Sequence, residues 1–272
     1  MLNIKDKKTL SIIIPCYNEA ENIIHTKNRI IEQINKLQMD YELVFIDDGS
    51  TDGTKEILNK LHNKNKKLKA ISFSKNFGHQ AAIIAGLHYA KGNAVIMMDA
   101  DLQHPPELIP KMINEWKSGF DIINTIRGKN KEDTIFKRTT SGRFYRTINL
   151  ISNTKIPNGT ADFRLMDRKV VDAFKDIEET NLFIRGMINW LGFSSTYIKY
   201  TPNKRHAGKT KYTFRKMMSL AFDGITSFST APLQMATLFG LIISAFSFLY
   251  LLYAIYIRLF TTQALAGWTS VI

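Results

Sequence analysis

Apolar residues come in short dense runs through the first two hundred positions, and each run is followed by a stretch with helical spacing. LSIII (10–14) is rich in β-branched residues and stops at Pro15. Ile23, Ile30, Ile34 and Leu37 then recur at helical intervals across 19–38. ELVFID (42–47) predicts a second strand. Asp52 is placed to cap a helix reaching about His62, with Gly53 and Thr54 in its first turn. LKAISF (68–73), a helix over 80–90 and AVIMM (94–98) follow. Pro105 and Pro106 open the next helix, where proline's missing N–H costs nothing, and DIINTI (121–126) is a fifth strand. Strand-helix-strand order repeated in this way predicts an α/β fold, a mostly parallel sheet with helices on both faces.

Beyond this the pattern changes twice. Residues 127–160 are looser and basic; ADFRLMD (161–167) then reads as a strand, 181–193 as an amphipathic helix and YIKY (197–200) as a last short strand. Residues 204–216 carry six lysines and arginines and no acidic residue. The segment 210–230 starts basic and becomes apolar (Phe214, Met217, Met218, Leu220, Phe222), which predicts an amphipathic helix lying in a membrane interface. From 233 to 257 there are 25 residues without a charge, more than the roughly 20 that a bilayer requires. The expected organisation is an α/β domain over 1–209, an interfacial segment over 210–231 and a transmembrane helix over 232–260. Residues 261–272 read as the truncated start of a second membrane segment.

Composition sharpens this picture. Lys and Arg number 37 against 24 Asp and Glu, a net charge of +13. Such an excess points to an anionic partner: nucleic acid, a membrane surface or a phosphorylated substrate. No nucleic-acid-binding module is recognisable, so no nucleic-acid partner is expected. Cys16 is the single cysteine, which excludes an internal disulfide and a cysteine zinc cluster. The first ten residues hold no apolar signal-peptide core.

The candidate chemistry lies just past the predicted strands, where ligands of parallel α/β sheets bind. PCYNE follows the first, DDGS the second, SKNFGH the third and DADLQ the fourth. Neither G-x-G-x-x-G nor a P-loop signature is present. The strand ends offer carboxylates instead, which suit a ribose, a base N–H or a divalent cation that in turn binds phosphates. Asp99, Asp101 and Gln103 fall on alternate positions after AVIMM. On a continuing strand they would share one face, as three hard oxygen donors for a cation.

SIIIPCYNEAENI, VFIDDGSTDGT, FSKNFGHQAAIIAGLHYAKG and MMDADLQHPPE, in this order and spacing, resemble family 2 glycosyltransferases of GT-A fold, within them the polyprenyl-phosphate branch of bactoprenol glucosyltransferases and dolichyl-phosphate mannose synthases. GTADFRLMDRKVVDAF, RGMINWLGF and RHAGKTKYTFRKMMSLAFDGI extend the resemblance over residues 9–260. The resemblance implies a nucleotide-sugar site lined by Pro15, Tyr17, Asn18, Glu19, Asp47, Asp48, Lys75, Asn76, Gly78, Asp99, Ala100 and Asp101, with Asp48 contacting the base. It implies Mg²⁺ or Mn²⁺ on Asp99, Asp101 and Gln103, phosphate-gripping roles for Arg127, Arg138, Arg205 and Lys209, and an acceptor-facing Asp162. Asp99, Asp101, Asp162, Arg127 and Arg205 are the catalytic candidates.

The implied reaction is transfer of glucose or N-acetylglucosamine from a UDP-sugar to undecaprenyl phosphate with inversion, for cell-envelope glycosylation. The enzyme would sit in the cell membrane and contact the lipid bilayer, its catalytic domain on the cytoplasmic side by the positive-inside rule. Homo-oligomerisation stays open. A processive polysaccharide synthase would share the fold, but the chain has no Q-x-x-R-W. A non-catalytic membrane scaffold of the same fold is the other alternative, and the intact acidic and basic positions speak against it.

Overall fold

A computed structural model describes residues 8–128, 160–177, 184–202 and 231–260. The chain divides into two compact units, Met1–Ser227 and Phe228–Ile272. In the first, seven strands form one sheet: β1 (Thr9–Cys16), β2 (Asp40–Asp47), β3 (Leu68–Ser72), β4 (Ala94–Met97), β5 (Ile122–Arg127), β6 (Thr160–Asp167) and β7 (Ser195–Tyr200). Their order across the sheet is β3-β2-β1-β4-β6-β5-β7. β1 pairs in parallel with β2 and β4, β2 with β3, and β5 with β7.

The alternation of side chains along β1 divides the core. Leu10, Ile12 and Ile14 join Leu43, Phe45, Ala94 and Ile96 on one face. Against them pack Ile23, Ile30 and Ile34 of α1 (Ala20–Asn35), Leu58 of α2 (Thr54–Lys64), and Ile109, Met112 and Ile113 of α4 (Ile109–Lys117). The opposite face carries Ile13, Val44 and Met97, all fully buried. There α3 (His79–Tyr89) lies so close that a Cβ on Gly86 would stand 2.3 Å from the Ile13 side chain. Only glycine lets the helix backbone approach the sheet to that distance. Helices therefore cover both faces, as the strand-helix alternation predicts.

β6 runs antiparallel to both β4 and β5, so the mostly parallel sheet carries one reversed strand. The register pairs Met97 with Arg164 and Ile126 with Thr160. This reversal brings Thr160–Asp162, the start of β6, to the edge where β4 and β5 end. Lys67 pairs with Asp40 at 2.5 Å, and Lys69 pairs with Glu42.

Glu42 anchors the far end of the sheet. Its Oε1 accepts from Ser11 Oγ at 2.5 Å and from the Lys91 N–H at 2.6 Å, while Oε2 takes Lys69. Burial alone would raise its pKa; the bonds from Lys69, Ser11 and Lys91 outweigh burial and hold it below the usual carboxylate range. One carboxylate thus ties β1, β2, β3 and the approach to β4 together, at the end remote from the candidate site.

After β6 come α5 (Arg168–Lys175) and α6 (Ile184–Trp190). In the second unit, α7 (Ala231–Phe260) is a single helix. Its stretch Leu233–Phe260 spans 28 residues, and an 18-residue window within it has mean hydropathy 2.2, long and apolar enough to cross a membrane.

Candidate active site

The loop after β1 and the loop after β2 are laced together. Asn18 adopts a left-handed backbone, φ 53°. Its N–H donates to Ser50 Oγ at 2.9 Å, and its Oδ1 accepts from the Thr51 N–H at 2.8 Å. Asp52 accepts from the Ala20 N–H with one oxygen and from the Thr54 N–H with the other, at 3.1 Å each. It thereby serves the first turns of α1 and α2 together. Glu19 Oε2 accepts from Asn22 Nδ2 at 2.6 Å. Tyr17 is half-buried on the same loop and Pro15 is buried in β1.

Asp47 and Asp48 are both buried at the end of β2. Asp47 Oδ1 accepts from the Ser50 N–H at 3.0 Å and fixes the turn. Asp48 reaches across to the loop after β3. It accepts from the Phe77 N–H at 2.7 Å and from the Gly78 N–H at 2.9 Å, and its carbonyl accepts from Asn76 Nδ2 at 3.3 Å. Burial raises its pKa above the ordinary value, against the pull of the two backbone bonds. Gly49 allows the two loops to touch. With φ at 70°, its Cβ would lie 2.4 Å from the backbone carbon of Lys75. Lys75 itself is exposed, its Nζ 5.1 Å from the Phe77 ring centre.

The DADLQ segment departs from the strand expectation. β4 ends at Met97, so Asp99, Asp101 and Gln103 occupy a turn. Leu102 in this turn has φ 61°. The turn is pinned on several sides: Thr26 Oγ1 donates to the Ala100 carbonyl at 2.6 Å, the Gln103 N–H donates to Asp101 Oδ1 at 3.0 Å, and the Asp99 N–H donates to His104 Nδ1 at 3.0 Å. His104 is buried and stacks on Phe163 of β6, ring centres 5.2 Å apart.

Asp99 is the most exposed acid of this turn, with 37% of its side chain accessible. His79 Nε2, at the first position of α3, stands 3.0 Å from its Oδ1. Burial and the charge of nearby Asp162 would raise the Asp99 pKa; the hydrogen bond from His79 opposes both and holds the carboxyl below its ordinary value. Because Nδ1 of His104 already accepts the Asp99 N–H, the hydrogen-bonded grip on the carboxylate itself is that of His79. On the other side Arg127, at the end of β5, donates to Gln103 Oε1 at 3.1 Å.

The structure thus places Tyr17, Asn18, Glu19, Asp47, Asp48, Lys75, Asn76, Gly78, Asp99, Ala100, Asp101, Gln103, Arg127 and Asp162 at or just past the ends of β1, β2, β3, β4 and β5 and at the start of β6. Arg138, Arg205 and Lys209 lie outside the described residues, as do 210–230 and 261–272. Among the described residues no three His, Cys, Asp or Glu side chains converge as a metal cluster. Two carboxylates and one amide oxygen remain, an all-oxygen donor set that fits a hard divalent cation. The ionised, part-exposed state of Asp99 agrees with that fit.

Sequence reading missed His79 as a neighbour of Asp99 and the Arg127–Gln103 bond. It also passed over Arg164, a fully buried arginine on β6 that donates to the Ala161 carbonyl at 3.3 Å. An arginine inside ADFRLMD breaks the apolar pattern and was the available signal.

Comparison with known proteins agrees with this geometry. The Glycosyl transferase family 2 model matches residues 11–174. The uncharacterized glycosyltransferase YkcC of Bacillus subtilis is 45% identical over 262 residues, 96% of this chain and 81% of YkcC. The bactoprenol glucosyl transferase of Shigella phage SfX is 40% identical over 243 residues, 89% of this chain and 79% of its own length. Among solved structures, mannosyl-3-phosphoglycerate synthase from Rubrobacter xylanophilus aligns with a TM-score of 0.55 at 13% identity, over 80% of this chain and 72% of that one. Glucosyl-3-phosphoglycerate synthase from Mycobacterium tuberculosis, in complex with Mn²⁺, UDP and phosphoglyceric acid, aligns at 0.52 and 15% identity, over 80% and 76%. These structural likenesses concern the fold, which is GT-A.

Proposed function

The chain belongs to glycosyl transferase family 2, and from that premise we propose that it moves glucose or N-acetylglucosamine from a UDP-sugar to undecaprenyl phosphate with inversion at the anomeric carbon. The observation that carries this reading is the single cluster formed where Asp48 ties the β2 and β3 loops and His79 ties α3 to Asp99. A nucleotide diphosphate with a sugar extends across such a span, from the loops of 15–19, 47–50 and 75–78 to the turn of 99–103. The name of the phage relative, a bactoprenol glucosyl transferase, supports a polyprenyl acceptor and a glucosyl donor.

Asp99, Asp101 and Gln103 would hold Mg²⁺ or Mn²⁺. Bound there, the ion supplies Lewis-acid neutralisation of the donor diphosphate. The chain's own residues do the rest. The 75–78 loop, held by Asp48, closes over the nucleotide. Arg127 stands beside the turn and offers a guanidinium to phosphate oxygens, a geometry suited to two-pronged contact. Arg138, Arg205 and Lys209 are assigned the same task on sequence grounds. The acceptor is a phosphate monoester, largely ionised at neutral pH, so no strong base is required of Asp162. It positions the acceptor, and catalysis rests on alignment and charge compensation.

The helix Leu233–Phe260 supports membrane attachment. With the basic residues that precede it, it supports a catalytic domain of residues 1–209 facing the cytoplasm, where 210–231 would lie in the interface. The test is product formation by the full chain in detergent from undecaprenyl phosphate and a panel of UDP- and GDP-sugars. Expected is a lipid-linked hexose from one UDP-sugar, lost on chelation with EDTA. Turnover that is undiminished after complete chelation, or that needs no polyprenyl phosphate, overturns the reading.

A further inference from the structure

We propose that His79 is a positioning residue for Asp99, fixing which oxygen of that carboxylate faces a divalent cation. The inference rests on the metal reading above. Asp99 has two carboxylate oxygens in unlike settings. Oδ1 lies 3.0 Å from His79 Nε2. Oδ2 lies 3.6 Å from His104 Nδ1, beyond hydrogen-bond range, and that nitrogen already accepts the Asp99 N–H. A carboxylate only accepts hydrogen bonds when ionised, so His79 presents Nε2–H to Oδ1. One oxygen is therefore committed to the imidazole and the other keeps its lone pairs for a hard cation.

The position of His79 suits this task. It is the first residue of α3, preceded by Gly78 at φ 100°. The Gly78 N–H is held by Asp48. The nucleotide-side loop and the acidic turn thus communicate through two consecutive residues: Gly78 answers to Asp48 and His79 to Asp99. α3 is in turn seated on the sheet at Gly86, which fixes the helix that carries the imidazole. A carboxylate ligand free to rotate spends part of its time with neither oxygen aimed at the ion. A partner on one oxygen removes that freedom, and outer partners of this kind commonly change metal affinity by about 10- to 100-fold.

The experiment measures Mn²⁺ binding to the full chain in detergent by electron paramagnetic resonance, with and without UDP, alongside thermal unfolding. His79→Ala is expected to weaken Mn²⁺ at least tenfold. His79→Gln places an amide N–H three bonds beyond Cβ, as far out as the imidazole Nε2, and is expected to stay within about threefold of the original affinity. His79→Asn, one bond shorter, should resemble the alanine variant and serves in its place if alanine unfolds. Equal weakening by glutamine and asparagine, or unchanged affinity in alanine and asparagine, overturns the role of His79. Asp99→Asn is the control for the underlying reading: if it binds Mn²⁺ as the original chain does, the cation is not held at Asp99 and both readings fail. If only Asp99→Asn loses binding, the metal site stands and His79 is merely structural.

Discussion

The Gly78 N–H donates to the Asp48 carboxylate across thirty residues of sequence, at 2.9 Å to one oxygen and 3.2 Å to the other. With the Phe77 N–H on the same group, the acid acts as a clamp on the loop after β3. Asp48→Asn puts an amide N–H₂ against backbone donors. The expected result is a loss of about 1.5–3 kcal/mol in stability, the scale of hydrogen bonds to a charged group. KM should rise for every nucleotide-sugar alike. A switch in preference between UDP- and GDP-sugars, measured in the same assay, would instead assign Asp48 to base recognition.

Gly49 makes a second, steric prediction about the same junction. Its φ of 70° and the 2.4 Å separation between its would-be Cβ and the Lys75 backbone leave no room for a side chain. Gly49→Ala must push the two loops apart. Chemical denaturation should register a destabilisation of about 2 kcal/mol or more, and UDP should bind more weakly by calorimetry. Gly119→Ala is the comparison: it also has positive φ but nothing within 4 Å of its Cβ. It should cost less and leave UDP binding unchanged.

Glu42 governs the acid limb of stability. Its folded pKa lies below its ordinary 4.5, so its contribution is fully present above the unfolded pKa and is lost as pH falls through the folded value. Glu42→Gln should destabilise the chain by about 1–3 kcal/mol at neutral pH, since Lys69 loses its buried counter-charge. It should also flatten the decline in melting temperature from about pH 6 to about pH 3. Since Glu42 sits at the sheet end away from the site, KM should not move. A variant with an unaltered acid limb would show that other carboxylates control it.

The helix Leu233–Phe260 is expected to hold the protein in the membrane against carbonate extraction. Phe246 lies near its middle, and Phe246→Arg adds about 3 kcal/mol to the cost of insertion. That variant should appear partly in the carbonate-soluble fraction. Extraction of the original chain by carbonate would refute a spanning helix.

The sequence by itself determined the elements and the family. The β-branched runs marked β1 to β5, because a strand's burial is written into adjacent residues. The 25 uncharged residues at 233–257 marked α7 for the same reason: length and apolarity are local properties. Asp47, Asp48, Asp99 and Asp101 were legible as candidates, because they stand in motifs just past predicted strands. Tertiary structure alone decided the rest. Periodicity tells which side of a strand is buried but not which way the strand runs, so the reversal of β6, which brings Asp162 to the edge where β4 and β5 end, was invisible. AVIMM did not show where pairing stops; β4 ends at Met97, and Asp99, Asp101 and Gln103 lie in a turn rather than on one strand face. His79 and Asp99 are twenty residues apart, Gln103 and Arg127 twenty-four, Asp48 and Gly78 thirty. Their meetings depend on how α3 seats against Ile13 and on where β5 lies in the sheet, and those placements arise from packing between segments that local pattern treats as independent.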